Sequence, residues 1–125
     1  MVAPPRITLA TVVLNCADAN ALADFYGNLL GWEVTYRERD WALMRSPDGG
    51  TGLSFQSEPW YEPPMWPEQE GHPTKMLHLD LWVDDLEQAV THAIGAGATL
   101  AEFQPQDDVR VLLDPAGHPF CLFVD

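Results

Sequence analysis

Three polar side chains capable of chemistry alternate along one short run. In MLHLDLWV, from Met76 to Val83, His78, Asp80 and Trp82 interleave with Leu77, Leu79, Leu81 and Val83. A period of two in a β-rich run puts alternate residues on opposite faces. An imidazole, a carboxylate and an indole therefore share one face. By the same parity Thr11, Val13 and Asn15 share a face, and so do Cys121 and Phe123. If these faces meet, they line an amphipathic pocket with a few polar handles, the usual lining of a small-molecule site. His78 or Asp80 would be the general base there, with Cys121 as a partner. Taken singly, each residue also reads as plain structure: His78 as a hydrogen-bonded core histidine, Trp82 as packing.

The remaining candidates carry weaker signals. His72 falls in a loop, His92 lies off its helical stripe and reads as solvated, and His118 follows a turn and reads as bonding local backbone. Cys16 has the opposite parity to Thr11 and Asn15, so it should pack under a helix and stay unpaired with Cys121. Ser46 and Ser54 have no sequence neighbour that marks a nucleophile. No Gly-rich phosphate loop or dinucleotide fingerprint is present.

The elements that must position these groups are legible. Asp84-Asp85 offers a helix N-cap, and Gln88 stands at capping-box spacing from Asp85. Leu86, Ala89, Val90, Ala93 and Ile94 form one apolar stripe, which ends at Gly95 and Gly97. The same pattern occurs earlier. Ile7 to Leu14 reads as a strand, Asp18 as a cap, and Leu22, Phe25, Tyr26, Leu29 and Leu30 as a stripe before Gly31. The capping aspartates are 67 apart, the terminal glycines 66, and the Ser46-Pro47-Asp48-Gly49 and Asp114-Pro115-Ala116-Gly117 turns 68. Three landmarks at nearly one offset indicate an internal duplication.

Further strands are expected over Trp32–Arg37, Trp41–Arg45, Gly52–Gln56, Thr99–Phe103, Val109–Leu113 and Phe120–Val124, so each module reads βαβββ. The expectation is one α+β domain over residues 1–125, with modules at about 7–56 and 76–125 in a pseudo-twofold pair. Residues 57–75 join them. This segment holds five prolines, which exclude a helix or central strand. It also carries Trp60, Tyr61, Met65 and Trp66. Such side chains must bury against the domain, a second subunit or a ligand, so an ordered loop is expected.

Composition narrows the partners. The formal charge is −13 with six Lys and Arg, which disfavours nucleic acid. It favours either solubility alone or a cationic ligand. No run approaches a membrane span, Met1 to Arg6 lacks a signal-peptide pattern, and two cysteines make no disulfide framework. A cytoplasmic protein is the expectation.

The repeat resembles the vicinal oxygen chelate superfamily, which comprises glyoxalases, bleomycin resistance proteins and extradiol dioxygenases. The resemblance is carried by Leu14 to Asp18 leading into Phe25-Tyr26-Gly27-Asn28-Leu29-Leu30-Gly31-Trp32, by His78 to Asp85, and by Asp114 to Phe120. It implies two βαβββ modules whose sheets curl into a cup. Metal-dependent members hold a divalent ion there with four side chains, and counting from the motifs assigns those positions to Thr11, Leu53, His78 and Cys121. A leucine donates nothing, and one His, one Cys and one Thr are a poor set for a hard ion. No cofactor is therefore expected. The usual divalent metal is disfavoured, and Zn²⁺ or Cu⁺ on His78 and Cys121 is left open.

Two functions compete. The first is sequestration of a hydrophobic or cationic aromatic ligand, as in antibiotic-binding members. Thr11, Asn15, Trp60, Trp66, His78, Trp82, Cys121 and Phe123 would form the site, and Trp60, Tyr61 and Trp66 interleave with Glu58, Glu62, Glu68 and Glu70. The second is a glyoxalase-like lyase or isomerase, or a dioxygenase-type enzyme, with His78 as base or residual metal ligand and Asp80 beside it. A partner-binding module is the third reading. The resemblance and the aromatic loop together imply a homodimer.

Overall fold

Two capping aspartates start the two helices of the computed structural model, which describes residues 3–125. Of the lead-in at residues 1–6, Met1 and Val2 lie outside the described residues. Asp18 accepts from the Ala21 amide and opens α1 (Ala19–Leu30); Asp85 accepts from the Gln88 amide and opens α2 (Leu86–Ala96). Gly31 closes α1 at φ +70°, a left-handed position that costs glycine least.

The strands are β1 (Thr11–Cys16), β2 (Val34–Arg37), β3 (Trp41–Met44), β4 (Gly52–Ser57), β5 (Leu79–Trp82), β6 (Thr99–Leu100), β7 (Val109–Leu113) and β8 (Pro119–Phe123). They form two four-stranded sheets, ordered β1-β4-β3-β2 and β5-β8-β7-β6. In each sheet the first strand runs parallel to the last strand of its module, and the other pairings are antiparallel. The α+β architecture with a doubled βαβββ unit is therefore observed. By hydrogen bonding the two sheets are separate, and β1 and β5 are each an edge strand.

Several strands start later or end sooner than expected, for local reasons. Residues 7–10 do not join β1, because β4 begins opposite Thr11 and beyond that start only isolated bonds remain, from the Gly52 amide to the Ala10 carbonyl and from the Thr51 hydroxyl to the Leu9 carbonyl; Ile7 is left 85% exposed. Residues 76–78 stay outside β5. The partner of His78 in register would be Pro119, which has no N–H to give. The strand expected over Thr99–Phe103 stops at Leu100. There the Gln104 side chain takes over the ladder, donating to the Ala101 and Val111 carbonyls and accepting from the Val111 amide.

The helices share one core with the inner faces of both sheets. Leu14, Cys16, Leu22, Phe25, Tyr26, Met44, Leu53, Phe55, Ala93, Leu112, Phe120 and Leu122 are buried in a single cluster. Fully burying such a side chain contributes about 1.5–3 kcal/mol. α1 is the hinge-pin of this core. Phe25 and Tyr26 both pack edge-on to Phe120 of the second module, and Tyr26 stacks on Phe55 of the first. α2 is buried less; Ala93 is its one fully buried residue, and Ile94, expected on the stripe, is 48% exposed.

One polar contact lies inside this apolar seam. The Tyr26 hydroxyl donates to Asp114 Oδ2 at 2.7 Å, linking the modules across 88 residues. Asp114 Oδ1 also accepts from the Ala116 and His118 amides. Burial pushes the Asp114 carboxyl up; the Tyr26 hydrogen bond and His118 pull it back down. Among the described residues every buried side-chain polar atom has a partner.

Candidate functional site

Parity along the strands divides buried from open faces as the alternation predicts. On β1, Leu14 and Cys16 are buried while Val13 and Asn15 are exposed. On β5, Asp80 and Trp82 are exposed, and on β8 Phe120 and Leu122 are buried while Cys121 and Phe123 are partly open. Cys16 packs beneath the helices with 1% exposure, and both cysteines are free. Burial first, then Asp114 and Asp18, push the Cys16 thiol up to about 11.

The first module departs from the count made on the motifs. Leu53, assigned there to a metal position, lies on the core face and is 7% exposed. Ser54 takes the place beside Thr11, and their hydroxyls are 2.7 Å apart. The register explains this. Val12 pairs with Leu53 as Leu79 pairs with Phe120, and these pairs sit at one constant offset of 67. Ser54 is thus the counterpart of Cys121. The turn before β4 is one residue longer than the turn before β8, and a one-residue slip moves a strand's side chains to the other face.

The open face gathers the predicted residues into three groups. His78, Asp80 and Cys121 form the first. Their candidate ligand atoms all lie within 4.8 Å of one another, and His78 Nε2 is 3.1 Å from Asp80 Oδ1. Burial, followed by the charge of Asp80 and a hydrogen bond to it, pushes the Cys121 thiol up. Trp82 and Phe123 form the second group. Their rings stack at 6.0 Å and 11°, and Trp82 is 70% exposed. Thr11 forms the third with Ser54, which was not among the predicted site residues and is fully buried.

Asn15 and Trp60 belong to a separate cleft of about 370 Å³ between β1 and the 57–75 loop. Its walls include Val13, Asn15, Glu58, Trp60, Tyr61, Glu62, Lys75 and Met76. Trp60 is 90% exposed at the rim. The loop is docked on the second module's turn. The Tyr61 hydroxyl donates to the Ala116 carbonyl at 2.7 Å, and Pro63 packs against Gly117 so closely that a Cβ there would sit 2.7 Å from its ring. Trp66 is elsewhere. Its ring lies 6.0 Å from Phe103, with Lys75 Nζ 4.7 Å from the Trp66 centroid.

One histidine differs from the sequence reading, and a second, His92, is exposed as expected but makes a contact the pattern did not show. His118 Nε2 reaches the Asn15 carbonyl at 2.6 Å across the two modules and lies 3.3 Å from the Tyr61 hydroxyl. His92 Nε2 bonds the Leu29 carbonyl at 3.0 Å, tying α2 to the end of α1. Neither contact could be read from local pattern. Ser54 could have been found from sequence, by applying the cap-to-cap offset to Cys121.

Tested against the fold's four-ligand metal site, this donor set fits poorly. Thr11 and Ser54 are neutral hydroxyls that satisfy each other, and they stand where a hard divalent ion would need charged oxygen or imidazole. The second module alone supplies strong donors.

Comparison with known proteins agrees with the architecture. A family model for the glyoxalase-like domain matches residues 11–123. No curated protein matches the chain. Among solved structures, a glyoxalase/bleomycin resistance protein/dioxygenase family enzyme from Burkholderia phytofirmans PsJN superposes with a TM-score of 0.71 at 20% identity, covering 94% of this chain and 98% of that one. A glyoxalase/dioxygenase from Nostoc punctiforme gives 0.66 at 25% identity, covering 100% and 96%. A possible glyoxalase from Bacillus cereus gives 0.68 at 16%, covering 94% and 99%. The doubled βαβββ unit, its Phe25-Tyr26 seam and the match over nearly the whole length place this chain in the glyoxalase-like domain family of the vicinal oxygen chelate superfamily.

Proposed function

We propose that the protein binds a cationic aromatic small molecule in the cleft between β1 and the 57–75 loop, without the fold's four-ligand divalent site. One observation carries the reading. The cleft sets the exposed Trp60 indole and the Tyr61 ring beside the Glu58 and Glu62 carboxylates. An indole face and a carboxylate attract the same ligand type, a flat cation, and the two attractions reinforce where water is partly excluded. Asn15 adds a neutral hydrogen-bonding handle on the opposite wall. The charge of −13 steers cations toward the molecule. A volume of about 370 Å³ suits a small ligand or one portion of a larger one.

The fold supports homodimerisation as part of this reading. Trp82 and Leu77 present apolar surface on or beside an edge strand, where a second copy would complete the binding surface.

The test is tryptophan fluorescence titration against a panel of flat cationic compounds, with matched neutral analogues. Quenching by the cations, weakened tenfold or more by Trp60→Ala and by Glu62→Gln, is the expected result. No quenching by any cation, or equal affinity for the neutral analogues, rejects the reading.

The His78–Asp80 pair favours a second reading. A carboxylate 3.1 Å from an imidazole can orient it as a general base for proton abstraction in a lyase or isomerase reaction. Turnover of a small carbonyl substrate that is lost on His78→Ala would favour this reading over binding alone.

A further inference from the structure

We propose that the groove between α2 and the β6–β7 edge of the second sheet binds a small aliphatic carboxylate, with Arg110 as its anchor. This goes beyond the cationic-ligand reading and uses no residue of that cleft.

The placement of Arg110 comes first. In the β7–β8 ladder Arg110 stands opposite Leu122. Residues directly opposite in a ladder share a face. Leu122 is buried in the core, so Arg110 projects from the sheet face that carries α2. It sits two residues before the buried Leu112 and is itself half-buried.

Its hydrogen bonds are one-sided. Nη1 donates to the Gln106, Asp107 and Val109 carbonyls at 3.4, 2.8 and 2.9 Å. These bonds fix the guanidinium and brace the turn before β7. Nη2 and Nε have no partner among the described residues. Arg37 and Lys75 are paired with Asp24 and Glu68, whereas no carboxylate among the described residues pairs with Arg110. Asp107 gives it a carbonyl instead. The Nε–Nη2 edge carries two parallel N–H groups, the fork that takes both oxygens of one carboxylate.

The groove supplies an apolar companion to that fork. It has a volume of about 390 Å³, and Leu86, Val90 and Leu100 line it beside Arg110. Leu86 and Val90 lie on the apolar stripe of α2 but are only partly buried, and Leu100 is 44% exposed. The sheet ends at β6, which is two residues long, so no further strand covers them. The Thr91 hydroxyl adds a donor on the α2 wall. Glu87 lies on the same wall and opposes an anion, as does the net charge of −13. Apolar contact must therefore provide most of the affinity, while the guanidinium selects the head group. That combination specifies a carboxylate on an alkyl chain and rejects anions as small as acetate.

The experiment uses the whole chain, with octanoate as probe and two-dimensional proton–nitrogen NMR as readout. Octanoate should shift the amides of Leu86 to Thr91 and of Leu100 and the Arg110 Nε–H signal, and leave Trp60 fluorescence unchanged. Affinity should rise roughly two- to fourfold per CH₂ from butanoate to octanoate, and acetate should not bind. Octanol, which keeps the tail and loses the charge, should bind roughly tenfold more weakly, and Arg110→Gln should weaken octanoate by a similar factor. Because Arg110 also braces a turn, a second variant leaves it in place. Glu87→Gln removes a repelling charge from an exposed position and should tighten octanoate roughly twofold. Octanol binding as tightly as octanoate, shifts confined to other surfaces, or octanoate affinity unmoved by Glu87→Gln overturns the site.

Discussion

Replacing Tyr26 by Phe isolates the polar contact that crosses the module seam. The substitution keeps the ring, and with it the stacking on Phe55 and the edge contacts to Phe25 and Phe120. It removes one atom, the hydroxyl that donates to Asp114 Oδ2 at 2.7 Å. A hydrogen bond to a charged group contributes about 1.5–3 kcal/mol, and one between neutral groups about 0.5–1.5. At neutral pH the expected loss is therefore about 2 kcal/mol, or about 1 M in the urea midpoint at an m-value of about 2 kcal/mol/M.

The pH dependence follows from the direction of the Asp114 shift. Burial raises the folded-state carboxyl above its ordinary value, so protonation favours the folded state. That contribution is present at low pH and is lost as pH rises through the raised pKa. The Tyr26 hydrogen bond is what lowers this pKa, so Tyr26→Phe raises it further. Once Asp114 is protonated the missing bond is a neutral one. The deficit of the variant should shrink by about 1 kcal/mol as pH falls from about 7 to about 4. A double-mutant cycle with Asp114→Asn measures the coupling directly. A loss below about 0.5 kcal/mol, or one of the same size at both pH values, would refute this account of the seam.

Two further outcomes are expected. Gly117 has φ +88°, and a Cβ there would meet Pro63 at 2.7 Å, so Gly117→Ala should destabilise by about 1–3 kcal/mol and shift Trp60 fluorescence as the loop lifts; a silent substitution in both readouts contradicts the docked loop. The Cys16 thiol is raised from 9.0 to about 11, so its contribution is fully present below pH 9 and is lost as pH climbs toward 11. This should remove roughly 2–3 kcal/mol over that window. The alkaline fall in stability should be shallower in Cys16→Val, with Cys121, Tyr26 and Tyr61, whose pKa values are also raised, supplying what remains; an unchanged slope counts against the assignment.

Much of this protein is local and was therefore readable from the chain alone. A capping aspartate, an apolar stripe and a closing glycine interact within one or two turns of helix, so Asp18 to Gly31 and Asp85 to Gly97 announce both helices and the duplication. Alternation fixed which side chains share a face within a strand, as for His78, Asp80 and Trp82, or for Cys121 and Phe123. What alternation cannot fix is the register between strands distant in sequence. One extra residue in the turn before β4 moved Leu53 into the core and brought Ser54 beside Thr11. Strand limits were also set at a distance, by where β4 begins and by Pro119. The Tyr26–Asp114 bond, the reach of His118 to Asn15 and the convergence of His78, Asp80 and Cys121 all join residues tens of positions apart. Contacts of that kind follow from chain packing, because the free energy that selects them is shared among many weak interactions rather than written in any one segment.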